Sequence, residues 1–237
     1  MRILGHRGAS ADAPENTLPS FQAALAQGAD GVERDARRGA TGAVVVFHDA
    51  TLLRLTGRPG RVAETPWETL SSLEVTARGG QARIPLLEEV LRVLPRTAFI
   101  NVELKADFAG LSLARRVGRL LLEGNHGGHV VVSSFQPLCL LALAAWAPSL
   151  RRGYLLEPKH PYWLESGVVA PLVGRDAVHP EDSQLTLPRL KHWQARGREV
   201  AVWTVDDAER ARTLEAWGVD SLITNRPGLL RAALAKG

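Results

Sequence analysis

Cysteine is nearly absent from this 237-residue chain: Cys139 stands alone. One thiol excludes an internal disulfide and a thiolate metal cluster. Within the apolar run LCLLALAAW it reads as a small buried hydrophobe. Lysine is scarce as well, with Lys105, Lys159, Lys191 and Lys236 the only four among 29 basic residues. The arginines are scattered, in pairs such as Arg37 and Arg38, Arg115 and Arg116, or Arg151 and Arg152. They lack the clustering with interleaved aromatics that a nucleic-acid surface needs, so no nucleic-acid partner is expected. The net charge of +4 and pI of 9.7 leave only a mild bias toward anionic substrates. No apolar run approaches the length of a membrane span, so no stable membrane insertion is expected. The opening MRILGHRGAS turns polar after Leu4 and holds no apolar leader segment, which makes a cytoplasmic location the expectation. Neither a GxGxxG nor a Walker A loop is present, and no GxSxG elbow. Nothing in the sequence bears on oligomeric state.

What is present is alternation. Short strand-like runs (RIL, AVVVFHD, AFINVELK, HVVVSS, RGYLLE, AVHP, EVAVWTV, DSLIT) are each followed by a helix-like run or a turn-rich stretch. With GVERDAR beside AVVVFHD, this makes eight strand–helix units plus one extra strand from a hairpin near His48. Repeated units of this kind imply parallel strands, and eight of them in this length predict a closed (β/α)8 TIM barrel. An open doubly wound sheet is the alternative, and it lacks its glycine-rich phosphate loop. Residues 50–83, with TGRPGR and ARGGQARIP, read as a short insertion after the second strand region in a single domain spanning 1–237. A short irregular helical piece is expected near Trp163.

The candidate chemistry sits at strand ends. Glu33 and Asp35 are two apart in GVERDAR and point the same way. Two readings stand for this pair. Either a hard, oxygen-seeking cation such as Mg2+ or Ca2+ lies between them, or an edge strand pairs them with Arg34, Arg37 or Arg38. In NVELK, Asn101, Glu103 and Lys105 share one face, giving a third carboxylate and a cation beyond it. The alternative there is a buried Glu103–Lys105 pair. No basic partner set is evident among the three carboxylates. His6 and His48 both lie at carboxyl ends of strand-like runs, and imidazole exchanges protons near neutrality. His179 could line the same pocket, and Trp203 could supply an apolar wall. His126 and His129 read as turn residues, and His192 as a solvated helical one.

These residues together resemble the glycerophosphodiester phosphodiesterase family. The resemblance runs in order along nearly the whole chain: HRG at 6–8 and PENT at 14–17, GVERDAR, VFHDATLLRLT, VELK, SSF at 133–135, WTV at 203–205 and GVDSLITNRP at 218–227. It implies a TIM barrel that hydrolyses glycerophosphodiesters to glycerol 3-phosphate and an alcohol. Carried over, His6 and His48 are the acid–base pair, and Glu33, Asp35 and Glu103 hold one divalent cation. Arg7 and Lys105 meet the phosphate, and Trp203 lies at the substrate. Two positions depart from the pattern. Asp206 stands where the family often has asparagine, and Asn225 where it often has aspartate. Rival readings are a related barrel acting on lysophospholipids or phospholipids, and a barrel that binds a phosphometabolite without catalysis. The first would want an exposed apolar rim or membrane-binding helix, and the sequence displays no clear one.

Overall fold

The first apolar run forms β1 (Arg2–Gly5), and the chain turns directly into α1 (Leu18–Ala26). The computed structural model describes residues 1–77, 79–106, 110–124, 129–157, 173 and 175–235. The piece near Trp163 and His126 lie outside the described residues. Thr17 caps α1 in an extended conformation, Pro19 sits in its first turn, and Gly28 ends it with φ of 86°.

Barrel strands β2 (Gly31–Arg38) and β6 (Phe99–Leu104) follow in space. Between them in sequence come β3 (Val44–Val46), α2 (Leu53–Thr56), α3 (Trp67–Leu70), the β4 (Glu74–Ala77) and β5 (Gly80–Arg83) hairpin, and α4 (Leu87–Val93). The chain continues with α5 (Gly110–Glu123), β7 (Val130–Ser134), α6 (Pro137–Trp146), β8 (Arg151–Leu156), β9 (Ala177–Pro180) and α7 (Leu187–Gln194). It ends with β10 (Glu199–Val202), α8 (Ala208–Trp217), β11 (Ser221–Thr224) and α9 (Pro227–Leu234). Among the described residues, β1, β2, β6, β7, β8, β9, β10 and β11 are joined in parallel, and β1 pairs with both β2 and β11. The sheet therefore closes into the (β/α)8 barrel that the alternation predicts.

Closure follows from apolar side chains on both strand faces. Leu4, Phe99, Val131, Ala177, Ala201 and Ile223 fill the barrel interior, with Trp203 packed on top. Outward residues such as Val32, Ile100, Val102, Leu104, Val130 and Val132 meet the helices. At Gly31 a β-carbon would come within 1.9 Å of the Phe99 carbonyl oxygen, so only glycine fits there.

The region read as AVVVFHD forms the extra hairpin strand expected near His48, but a shorter one. Only Val44–Val46 is a strand, and it runs antiparallel to β2, with Ala36 opposite Val46 and Arg38 opposite Val44. β2 continues beyond the barrel rim, and β3 descends along that extension. Phe47 N–H still donates to the Asp35 carbonyl at 3.0 Å. His48 thus reaches the rim from above, on a return strand opposed to the barrel strands. Residues 50–83 hold a small core of their own, in which Leu52, Leu55, Val62, Leu70 and Val75 pack on Val45 and Phe47. The β4–β5 hairpin in this segment has short, mostly exposed strands whose alternation is too weak to read.

Candidate active site

Strand register builds the acidic centre. Glu33 lies opposite Asn101 and Asp35 opposite Glu103 across β2 and β6, and Glu103 is in turn opposite Ser133 on β7. Period-two alternation turns Glu33, Asp35, Asn101 and Glu103 inward. One carboxylate oxygen from each of Glu33, Asp35 and Glu103 lies within 4.8 Å of the others, and all three residues are buried. Burial and the neighbouring Asp35 and Glu103 charges push the Glu33 carboxyl well above its ordinary value. Burial, with Asp35 behind it, pushes Glu103 up to about 7 against the pull of Lys105. Burial acts on Asp35 as well, but Lys105 and Arg7 hold its pKa well below the ordinary range.

The basic partners of this cluster are not the arginines of β2. Lys105 Nζ approaches Glu103 Oε1 at 2.6 Å and Asp35 Oδ1 at 3.4 Å. Arg7 Nε lies 3.2 Å from Asp35 Oδ2, and its backbone N–H donates to Glu33 Oε2 at 3.0 Å. The carboxylates therefore do have basic partners among them, contrary to the reading from sequence. These cations stand at the rim, where an anionic ligand would meet them.

The turn after β1 explains the PENT signature. Arg7 and Asn16 adopt left-handed backbone with φ of 56° and 60°, uncommon for side-chain-bearing residues. Gly8 follows with φ of 88°, and a β-carbon there would strike Ser20 at 2.4 Å. The folded turn returns Asn16 to β2. Its Nδ2 donates to Asp35 Oδ2 at 2.7 Å, and its Oδ1 accepts from the Asp35 N–H at 3.1 Å. Glu15 accepts from Arg7 Nη1 at 2.9 Å and from both terminal nitrogens of Arg54 at 2.8 and 2.9 Å.

The two histidines face the same cavity and have different partners. His6 Nδ1 lies 2.8 Å from Asn225 Oδ1. Asn225 Nδ2 donates to Asp206 Oδ2 at 2.6 Å, which orients the amide oxygen toward the imidazole. The ring hydrogen then resides on Nδ1, and His6 Nε2 faces the acidic centre 4.0 Å from Glu33 Oε2. Burial and Arg7 push the His6 pKa down to about 4. His48 Nδ1 instead meets the Asp49 carboxylate at 2.6 Å, and Arg54 Nε holds the other Asp49 oxygen at 2.6 Å. Burial lowers the His48 pKa, and the Asp49 hydrogen bond acts against it. The two departures at Asp206 and Asn225 touch one another, so carboxylate and amide have changed places within one hydrogen-bonded pair behind His6.

The cavity is about 260 Å³ and is lined by His6, Arg7, Glu33, His48, Asn101, Glu103, Lys105 and, on the far side, Phe135, Leu155, Glu157, Trp203 and Ile223. Asp35 lies just behind this lining, 1% exposed. Trp203 follows β10 and meets Phe135 edge-on with ring centroids 5.6 Å apart, while its Nε1 donates to the His179 carbonyl at 2.8 Å. His179 is buried below this wall against Gly153 and is not part of the lining. His192 and His129 lie elsewhere: His192 is on α7 beside Arg196, and His129 is exposed just before β7.

His6, Arg7, Glu33, His48, Glu103, Lys105 and Trp203 thus converge on one cavity, with Asp35 just behind it, whereas His179 does not reach it. Phe135, Leu155, Glu157, Ile223, Asp49 and Arg54 join them without having been singled out. The quoted motifs carried Phe135, Asp49, Arg54 and Ile223 without marking them as site residues, whereas Leu155 and Glu157 fall outside those motifs. Such a set can hold a hard cation, receive an anion beside it and exchange protons on either side.

Comparison with known proteins follows the same outline. The glycerophosphoryl diester phosphodiesterase family model matches residues 6–229. A glycerophosphodiester phosphodiesterase from Caldanaerobacter subterraneus subsp. tengcongensis is 29% identical over 246 residues, covering 99% of this chain and 98% of that protein. An Oleispira antarctica phosphodiesterase, solved in complex with its product sn-glycerol-3-phosphate, superposes with a TM-score of 0.87 at 26% identity, covering 99% of this chain and 97% of that one. A glycerophosphodiester phosphodiesterase from Agrobacterium tumefaciens superposes with a TM-score of 0.82 at 28% identity, covering 98% and 99%.

Proposed function

The chain belongs to the glycerophosphoryl diester phosphodiesterase family, and from that premise we propose that it hydrolyses glycerophosphodiesters to glycerol 3-phosphate and an alcohol with the help of one divalent cation, Mg2+ or Ca2+. One domain, 1–237, carries the site, with 50–83 as its insertion. The supporting observation is the buried triad of Glu33, Asp35 and Glu103 facing two histidines across a cavity that also receives Arg7 and Lys105.

The triad suits a hard cation. Glu33 Oε1 is buried with no hydrogen-bond partner among the described residues, and the Glu33 pKa is raised by burial and its neighbours. A cation held by Glu33, Asp35 and Glu103 relieves both costs. When bound, it supplies neutralisation of charge on the phosphate oxygens.

The rest is done by the chain's own side chains. Arg7 and Lys105 receive the phosphate from the rim. Both are pre-oriented, Arg7 by Glu15 and Asp35, Lys105 by Glu103 and Asp35. His6 presents an unprotonated Nε2 to the cavity because Asn225 fixes the ring hydrogen on Nδ1. It is the base that takes the proton of the nucleophile: either water, which gives glycerol 3-phosphate directly, or the glycerol 2-hydroxyl, which gives a cyclic phosphate that water then opens to glycerol 3-phosphate. His48, backed by the Asp49 carboxylate, is the acid that protonates the departing alkoxide. The Phe135–Trp203 wall gives the glycerol carbons an apolar surface.

The test is metal removal. Chelator-treated protein, its metal content verified, is assayed against a panel of glycerophosphodiesters and then reloaded with Mg2+ or Ca2+. Activity should disappear and return. Full turnover of the stripped protein would refute the assignment of the triad. The division between the histidines has its own readout. His48→Ala should cost little on a diester with a phenol leaving group and much on one with an alcohol. His6→Ala should cost both about 10²–10⁴-fold. Equal losses on both substrates in both variants would exclude the division.

A further inference from the structure

The α5–α6 flank combines apolar and basic exposure, and among the described residues no element of the barrel covers it. Ten large apolar side chains are exposed among the described residues, and half of them lie on these two helices. Leu138 is 69% exposed, Leu111 62% and Trp146 57%, with Leu122 and Leu141 beside them. Helix α6, PLCLLALAAW, contains no charged, amide or hydroxyl side chain although one side faces outward. A surface helix ordinarily alternates a polar face with its buried one. Helix α5 is mixed: Arg115, Arg116 and Arg119 are exposed on it between Leu111 and Leu122.

Between the helices and the end of β2 lies a recess of about 510 Å³, reached by Arg38, Arg115, Arg116, Arg119 and Trp146. Its single carboxylate, Glu123, lies 3.8 Å from Arg119. Arg38, Arg115 and Arg116 have no carboxylate partner among the described residues. The Arg115 guanidinium stacks on Trp146 at 4.3 Å from the ring centroid.

We propose that this flank docks the protein on an anionic lipid bilayer. Charge decides against a second copy of the chain, because a two-fold contact would set arginine rows against each other. A small soluble anion would satisfy the arginines and leave Leu111, Leu138 and Leu141 in water. A bilayer surface satisfies both sets at once. The leucines enter the acyl boundary, the arginines bind headgroup phosphates, and Trp146 lies at the interface. Phe135 of the cavity directly precedes the α6 region, and α5 follows the strand that carries Glu103. The upper end of the flank therefore adjoins the cavity mouth. The lysophospholipid alternative lacked an apolar docking helix in sequence, because α6 reads as core until its outward face is seen. The proposal does not depend on the chemistry assigned to the cavity.

The experiment is flotation of the full chain with phosphatidylglycerol vesicles or phosphatidylcholine vesicles at low ionic strength. Binding should be confined to phosphatidylglycerol and be released by salt. Arg115→Gln with Arg116→Gln should weaken it by about 25-fold, on the order of fivefold for each charge neutralised. Leu138→Gln with Leu141→Gln should abolish it. Both variants should keep the wild-type melting temperature and turnover of a soluble glycerophosphodiester. Failure of the wild type to float with phosphatidylglycerol overturns the proposal, and so does binding that both variants retain in full. A lipid-free dimer that the leucine variant converts to monomer also overturns it, by assigning the face to a second copy.

Discussion

Arg34 points from β2 into the layer between sheet and helices, and none of its guanidinium nitrogens has a hydrogen-bond partner among the described residues. It is fully buried, its nearest aromatic being Phe21 at 5.6 Å, and burial pushes its pKa down to about 9. An uncompensated buried charge is a cost, so Arg34→Leu should raise the unfolding free energy, by about 1–4 kcal/mol. Urea denaturation measures it, and a loss of stability would show that the guanidinium has a favourable role in the core. Two residues around it on the same strand, Glu33 and Asp35, face the other way, into the acidic centre. Lys105, which pairs with Asp35 and Glu103, belongs with them. Lys105→Met should leave the fold intact and lower kcat/KM by about 1.5–3 kcal/mol of transition-state stabilisation. Wild-type kinetics in that variant would place Lys105 outside the reaction. Glu33, Asp35 and Glu103 were legible because a period of two needs no tertiary knowledge. Asn16, Asn225 and Arg54 were harder, since each acts on a side chain that only the folded turn or the closed barrel brings near.

Among elements, the β2–β3 return and α2 decide where His48 stands. Arg54 of α2 holds Asp49 at 2.6 Å and Glu15 at 2.8 Å, linking the insertion to the turn after β1. Its side chain is nearly half exposed, so the link contributes little to stability. Its effect should be on geometry. Arg54→Ala is expected to lower kcat severalfold while the melting temperature moves by only a degree or two. Steady-state kinetics beside a thermal melt separate the two, and a fall in stability without a fall in kcat would make the link purely structural. Strand and helix order was legible because each apolar run is bounded by glycine, proline or polar turns. So was the hairpin that returns β3, from its glycine turn; the length of β3 was not, because AVVVF is apolar throughout. Only its pairing with the overhanging end of β2 fixes it.

For the molecule as a whole, the end of the barrel away from the cavity is tied by charge. Glu199 at the start of β10 pairs with Arg2 of β1 and with Arg151 of β8 at 2.8 Å, and Arg2 also stacks on Phe99 at 4.2 Å. Burial pushes the Glu199 carboxyl up, but Arg2 and Arg151 outweigh it and hold the pKa below its ordinary value. A depressed folded pKa stabilises above the unfolded value of about 4.3 and loses that contribution as pH falls through the folded value. Glu199→Gln should therefore melt below wild type at neutral pH and converge with it in acid. Parallel melting curves at every pH would remove Glu199 from the acid response. Barrel closure is also where the site is completed. His6, just past β1, donates its N–H to the Thr224 carbonyl at 2.7 Å and takes its ring partner, Asn225, from the residue after β11. These are the barrel's first-made and last-made strands. A ribosome would have built the acidic triad, both rim cations and His48 well before Asn225 existed, so, on the roles proposed above, a growing chain would hold every other member of the site while His6 still lacked its ring partner. Turnover would begin as a late event of synthesis, switched on by the seating of a single closing strand.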